Sequence, residues 1–118
     1  MSTSAQHKAR AEHNEFLRDE LDNPFWDWAV IATFYAAVHY VEAYLAKNAP
    51  PVHSRNHDYR DSHIQRDAKI KGIYADYKLL KTESHDARYN PHIPFEQADV
   101  QRVQAYLKTV KDRILPLI

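Results

Sequence analysis

The chain of 118 residues contains no cysteine. Disulfides, thiolate nucleophiles and cysteine zinc ribbons are therefore excluded. The absence fits a reducing compartment, and a cytoplasmic location is expected. There is one glycine, Gly72, and no alternating apolar run long enough for a strand, so a β-rich fold is excluded as well. No net charge is present: sixteen basic residues balance sixteen acidic ones. Bulk electrostatics thus do not point to a polyanionic partner, although a local basic patch remains open. The first fifteen residues, MSTSAQHKARAEHNE, lack the apolar core of a signal peptide. Repeats, low-complexity tracts and linkers are also missing. What is present is enough apolar material, 44% hydrophobic and 12% aromatic, for one unstapled core. A single domain over residues 1–118 is expected.

The longest apolar run, WAVIATFYAAVHYVEAYLA, begins at Trp28 and carries His39 and Glu42. A central carboxylate costs about 2.5–3.5 kcal/mol on insertion scales, so this is read as a buried helix and no membrane association is expected. Spacing predicts helices over residues 4–21, 24–47, 57–66 and 68–89, and a fifth from about residue 96 to Pro116. The first has a modest stripe of Ala9, His13, Phe16, Leu17 and Leu21. The second is apolar nearly all round and rich in alanine, with Asn23 as its expected cap and Pro24 in its first turn. Pro50-Pro51 ends it. Ser54 or Asn56 is expected to cap the third. The fourth carries Ile70, Ile73, Tyr77, Leu80, Ser84 and Ala87, and the fifth Val100, Val103, Leu107, Val110 and Ile114. Short connections between such helices predict an all-α, up-and-down bundle of four to five helices.

Three constellations carry possible chemistry. HSRNHDYRDSH, residues 53–63, holds three histidines and two arginines. His53 and His57 are four apart, but the preceding prolines disfavour helix there. No HExxH occurs, and no metal or cofactor is expected. Ser84 and His85 are neighbours, so their side chains diverge on a helix, and no serine hydrolase arrangement is found. In the second helix Trp28, Ala32, Tyr35, His39, Glu42 and Ala46 share a face expected to be buried. A buried Glu42 needs a partner. Arg88, which shares a face with Tyr77, Lys81 and Ser84, is the first expectation, and His39 the second.

FYAAVHYVEAYLA, HDYR and ADYKLLKTESHDARYN together resemble the small bacterial HEPN-domain proteins. The resemblance runs from about residue 26 to 90. It rests on His39, on His57-Asp58-Tyr59-Arg60 and on Ser84-His85-Asp86-Ala87-Arg88-Tyr89. It implies a helical bundle, often dimeric, in a superfamily rich in RNA-processing and defence proteins, many of them metal-independent ribonucleases. Those use an Arg followed by four to six residues and then a His. No Arg in this chain precedes a His at that gap.

The expected function is therefore association with RNA or nucleotides, or with a protein encoded nearby, in a bacterial stress or defence pair. The binding residues expected are Arg55, His57, Arg60, His39, Glu42, Ser84, Arg88 and Tyr89. One alternative is a divergent ribonuclease using His57 and Arg60 as catalytic groups. Another is a non-enzymatic, antitoxin-like module. A homodimer is expected through the second or fifth helix, where Tyr40, Tyr44 and Tyr106 suggest a second apolar face.

Overall fold

The computed structural model describes residues 2–118 and is all-helical. Five helices, α1 (Ser4–Glu20), α2 (Trp26–Leu45), α3 (His57–Arg66), α4 (Tyr74–Tyr89) and α5 (Gln97–Ile114), form one bundle with two short 3-10 turns.

Local chemistry sets the helix starts. Thr3 and Gln6 form a reciprocal capping box on α1. The Asn56 side chain accepts from the Tyr59 amide at 2.8 Å and starts α3, so Asn56 and not Ser54 is the cap. Glu96 and Asp99 cap α5 reciprocally. Two starts differ from expectation. Helix α2 begins at Trp26 with Phe25 at its cap position and no side-chain cap, leaving Asn23 outside. Helix α4 begins at Tyr74, because residues 71–73 around Gly72 close a 3-10 turn instead. The tighter turn still buries Ile70 and Ile73.

Helix α2 is the central element. Val30, Phe34, Val41 and Leu45 are fully buried, and they belong to the same core as Tyr77 and Leu80 of α4 and Val103, Leu107 and Val110 of α5. Its alanines keep neighbouring backbones close: Ala29, Ala36, Ala37 and Ala43 have no exposed surface. The stripes expected on α4 and α5 face this core, except that Ala87 is only half-buried.

Helix α1 is the correction. Its apolar stripe faces outward: Phe16 is 65% exposed and Leu17 43%. Ala11 is its one fully buried residue, and the rest of its inner face is polar. The Ser4 hydroxyl donates to the Ala43 carbonyl at 2.7 Å. Further along, the Tyr40 hydroxyl donates to Glu15 at 2.5 Å, and Lys111 of α5 donates to the same carboxylate at 2.8 Å. Tyr40 and Tyr44 are thereby buried, Tyr44 donating to Asp67 at 2.7 Å. The second apolar face expected on α2 is covered by the chain itself. Burial and Asp67 push the Tyr44 hydroxyl up to about 12.

A Cβ at Gly72 would meet nothing within 4 Å, and the residue is exposed. Gly72→Ala is expected to stabilise the protein by about 0.4–1 kcal/mol through the unfolded chain. Urea titration of both proteins measures it, and a destabilised variant would show that the 3-10 turn requires glycine.

Candidate functional site

The polar side chains that matter cluster where α2, α3 and α4 meet. Asn56 starts α3, and its first turn then turns His57 and Arg60, three residues apart, to one side. The Arg60 Nε donates to Glu42 Oε1 at 2.7 Å. Their side chains are 10% and 6% exposed, so this is a buried ion pair. The Ser54 amide faces the other Glu42 oxygen at 3.4 Å. Glu42 therefore pairs with Arg60, not with Arg88 or His39. Arg60 of α3 reaches Glu42, whereas Arg88, in the last turn of α4, reaches Tyr35, two turns earlier on α2.

The Arg60 Nη1 donates to His57 Nδ1 at 3.0 Å. A histidine accepting at Nδ1 carries its proton on Nε2 when neutral. Burial lowers the His57 pKa, and the nearby Arg60, Lys81 and Arg88 charges lower it further. The neutral ring packs near Phe34 and Tyr35 of α2, at centroid distances of 5.7 and 6.4 Å. The Tyr77 hydroxyl sits beside Arg60. Burial raises its pKa, while Arg60 pulls the other way. For Arg60, burial opposes the charge, but Tyr77 and Glu42 outweigh it and raise the pKa.

One turn of α4 on, Lys81 donates to Asp61 of α3 at 2.6 Å. Arg88 then closes the row. Its Nη1 donates to the Tyr35 hydroxyl and its Nε to the Ser84 carbonyl at 3.3 Å. Its guanidinium lies 5.4 Å from the Tyr35 ring centre and 5.2 Å from that of Tyr89, within cation–π range. Among the described residues, Arg88 forms no ion pair with a carboxylate, whereas Arg60 and Lys81 do. Tyr89 is 63% exposed. The described residues also include four buried side-chain oxygens without a hydrogen-bond partner, on Ser54, Asp61, Tyr77 and Ser84. Each belongs to a residue in or next to this centre.

The expected residues thus fall into three groups. Glu42, His57 and Arg60 form the ion-paired centre. Ser84, Arg88 and Tyr89 form an adjoining corner whose cation acts on His57. His39 lies elsewhere, its Nδ1 3.0 Å from Nδ1 of His7 on α1, and Arg55 is exposed on the loop before α3. The face expected to bury Trp28 through Glu42 is buried only in part: Trp28 is 56% exposed, and Tyr35 and His39 are half-buried. Sequence reasoning missed Asp61 and His7. His7 had a legible signal, since Ser4, His7, Ala11 and Arg18 recur at threes, fours and a double turn opposite the apolar stripe. Asp61 had none, because its partner lies twenty residues away. No three metal-ligating side chains converge among the described residues, and none of the described helices is long and apolar enough to cross a membrane.

No family model matches the chain, no curated protein is similar to it, and no solved structure matches it.

Two outcomes follow from this geometry. Glu42→Ala strands the Arg60 charge and is expected to cost about 3–5 kcal/mol, read from denaturant unfolding; a variant as stable as the parent would show that the pair is dispensable. The histidines set an acid response. Burial, aided by His7 and Arg10, lowers His39 from an ordinary 6.5 to about 4, and His7 and His57 are lowered too. Below about pH 6.5 the unfolded chain takes up protons that the folded protein refuses. Stability is therefore expected to fall as pH drops from about 6.5 towards 4, and His39→Gln should flatten that fall. Melting curves across the range check both; an unchanged slope in the variant would clear His39 of the effect.

Proposed function

We propose that the protein is a HEPN-like bundle that binds RNA or nucleotides at the α2–α4 corner and works in a bacterial stress or defence pair. The observation that carries this is Arg88. It is a cation held between two tyrosine rings, without a carboxylate partner among the described residues, beside an exposed Tyr89. A fixed guanidinium suits a phosphate, and an exposed aromatic ring gives a base a surface to stack on. His57, whose neutral form presents an Nε2 proton, adds a donor on the same side.

The same geometry supports binding over cutting. Arg60 is committed to Glu42 and His57, and His57 spends Nδ1 on Arg60. A general base needs a free acceptor nitrogen, and a phosphorane needs an uncommitted cation. The recognition surface proposed is accordingly Arg88, Tyr89 and His57, with Arg60 and Glu42 positioning His57 from below.

The test is titration of wild type, Arg88→Ala and Tyr89→Ala with RNA oligonucleotides and mononucleotides at two salt concentrations. Wild-type binding should weaken with salt. Loss of one stacked ring is worth about 1–3 kcal/mol, so Tyr89→Ala should weaken binding by about 5- to 150-fold at an unchanged melting temperature. The oligonucleotide should remain uncut in EDTA. No wild-type binding even at low salt would sink the reading and leave a protein-contact module in its place.

A further inference from the structure

The seam between α1 and α2 opens beside Arg10 into two cavities that Arg88, Tyr89 and His57 do not line. One, of about 530 Å³, is polar and has Gln6, His7 and His13 in its walls. The other, of about 260 Å³, is mainly apolar, with Leu17, Trp28, Ile31 and Tyr35 in its walls. Arg10 and His39 line both, so the two join into one groove. Ile31 is buried in the core side of that wall, while Trp28 is 56% exposed. An apolar recess with a few convergent polar groups is the make-up of a small-molecule site.

The charges say what such a groove takes. No carboxylate lines either half, although the chain has sixteen. Lys8, Glu12, Glu15, Arg18 and Asp19 line a cavity on the opposite flank of α1. Asp27 accepts from the Trp28 amide at 2.9 Å. Glu42, the acid that acts on His7 and His39, is paired with Arg60. Among the described residues Arg10 has no carboxylate partner, whereas Arg18, Arg60 and Arg102 do. The His7 and His39 rings stack with centroids 5.3 Å apart and their Nδ1 atoms 3.0 Å apart. One Nδ1 donates and the other accepts, which leaves the pair one Nε2–H and one bare Nε2. Burial keeps both rings neutral near pH 7. The groove therefore offers one permanent cation, one neutral histidine pair and an aromatic wall.

We propose that the α1–α2 groove binds a small aromatic carboxylic acid, its carboxylate on Arg10 and its ring against Trp28 and Tyr35. One guanidinium matches one carboxylate in the forked geometry that arginine favours. A nucleic-acid strand needs a run of cations along its phosphates, and this groove has a single arginine. Arg10 and Trp28 line the same cavity of about 260 Å³, so charge and ring belong to one small molecule. A flat ring suits the wall, because aromatic rings pair offset or edge to face. The histidine pair, with one N–H to spare, supplies a neutral donor beside Arg10. The groove meets the RNA-binding corner only at Tyr35, whose hydroxyl accepts from Arg88, and the inference does not rest on that corner.

The test is calorimetric titration with phenylacetate as the probe. Wild type should bind it at millimolar concentration or below. Arg10→Ala should weaken binding by about 10- to 150-fold, the worth of a hydrogen bond to a charged group, and Arg10→Lys should recover part of the loss. Trp28→Ala should weaken it by about 2- to 12-fold, the worth of an aromatic pair. Arg10 and Trp28 are exposed, so these variants should melt as wild type does. Phenylacetamide, of the same shape without the charge, should bind wild type as weakly as phenylacetate binds Arg10→Ala. Tyr89→Ala should bind phenylacetate unchanged, which separates this groove from the RNA-binding corner. No binding at millimolar phenylacetate, equal binding by Arg10→Ala, or equal binding of the amide would overturn the proposal. So would displacement of phenylacetate by uridine monophosphate, which would make the groove an extension of the nucleotide corner.

Discussion

The Glu42–Arg60 ion pair is the constraint on which the polar half of this structure depends. A carboxylate buried in the last turn of an almost wholly apolar helix is costly unless a cation reaches it. Arg60 does so from a helix that has little else to hold it: α3 buries only Arg60 and Ile64. The pair is thus a register pin. It fixes how far α3 slides along α2, and His57, one turn earlier, is carried with it to the Phe34–Tyr35 surface. Replacing such a pair by apolar side chains is often neutral or stabilising, so its value here lies in position more than in stability.

Around that pin the cations form a graded row. Arg60 is buried and paired, Lys81 is half-buried and paired with Asp61, and Arg88 is half-buried and bonded only to neutral groups. The carboxylates are used up from the inside outward, which leaves the positive end of the row at the surface beside Tyr89. A chain with no net charge can still present a cation this way. Balance over the whole sequence says nothing about where the unpaired charge is left.

Helix α1 follows the opposite logic to the other long helices. Elsewhere the apolar face is buried and the polar face wetted. Against α2 it meets the Ala43 carbonyl, the His39 ring and the Tyr40 hydroxyl. These groups need hydrogen-bonding partners once covered, and only the polar side of α1 can supply them. Ala11 lets the two backbones approach closely enough for those bonds to form. The consequence is an apolar outer stripe, with Phe16 and Leu17 exposed.

The sequence by itself determined the fold class, the number of helices and most of their spans. Those depend on spacing within one segment, on caps such as Asn56 and on the prolines that interrupt helix. It also determined which faces of α4 and α5 turn inward, because Tyr77, Leu80 and Ser84 on α4 and the Val and Leu stripe on α5 recur at helical spacing. It showed that Glu42 needed a cation, since an acid in an apolar helix is visible in one dimension. Which cation answers was decided by tertiary structure: Arg60 of α3 reaches Glu42, while Arg88 of α4 reaches Tyr35, two turns earlier on α2. The direction of α1 was decided there too. Its apolar stripe is weak, with two large residues in seventeen, and the polar groups waiting on α2 outweighed it. A periodicity tells which residues share a face; the neighbour's chemistry tells which face turns in.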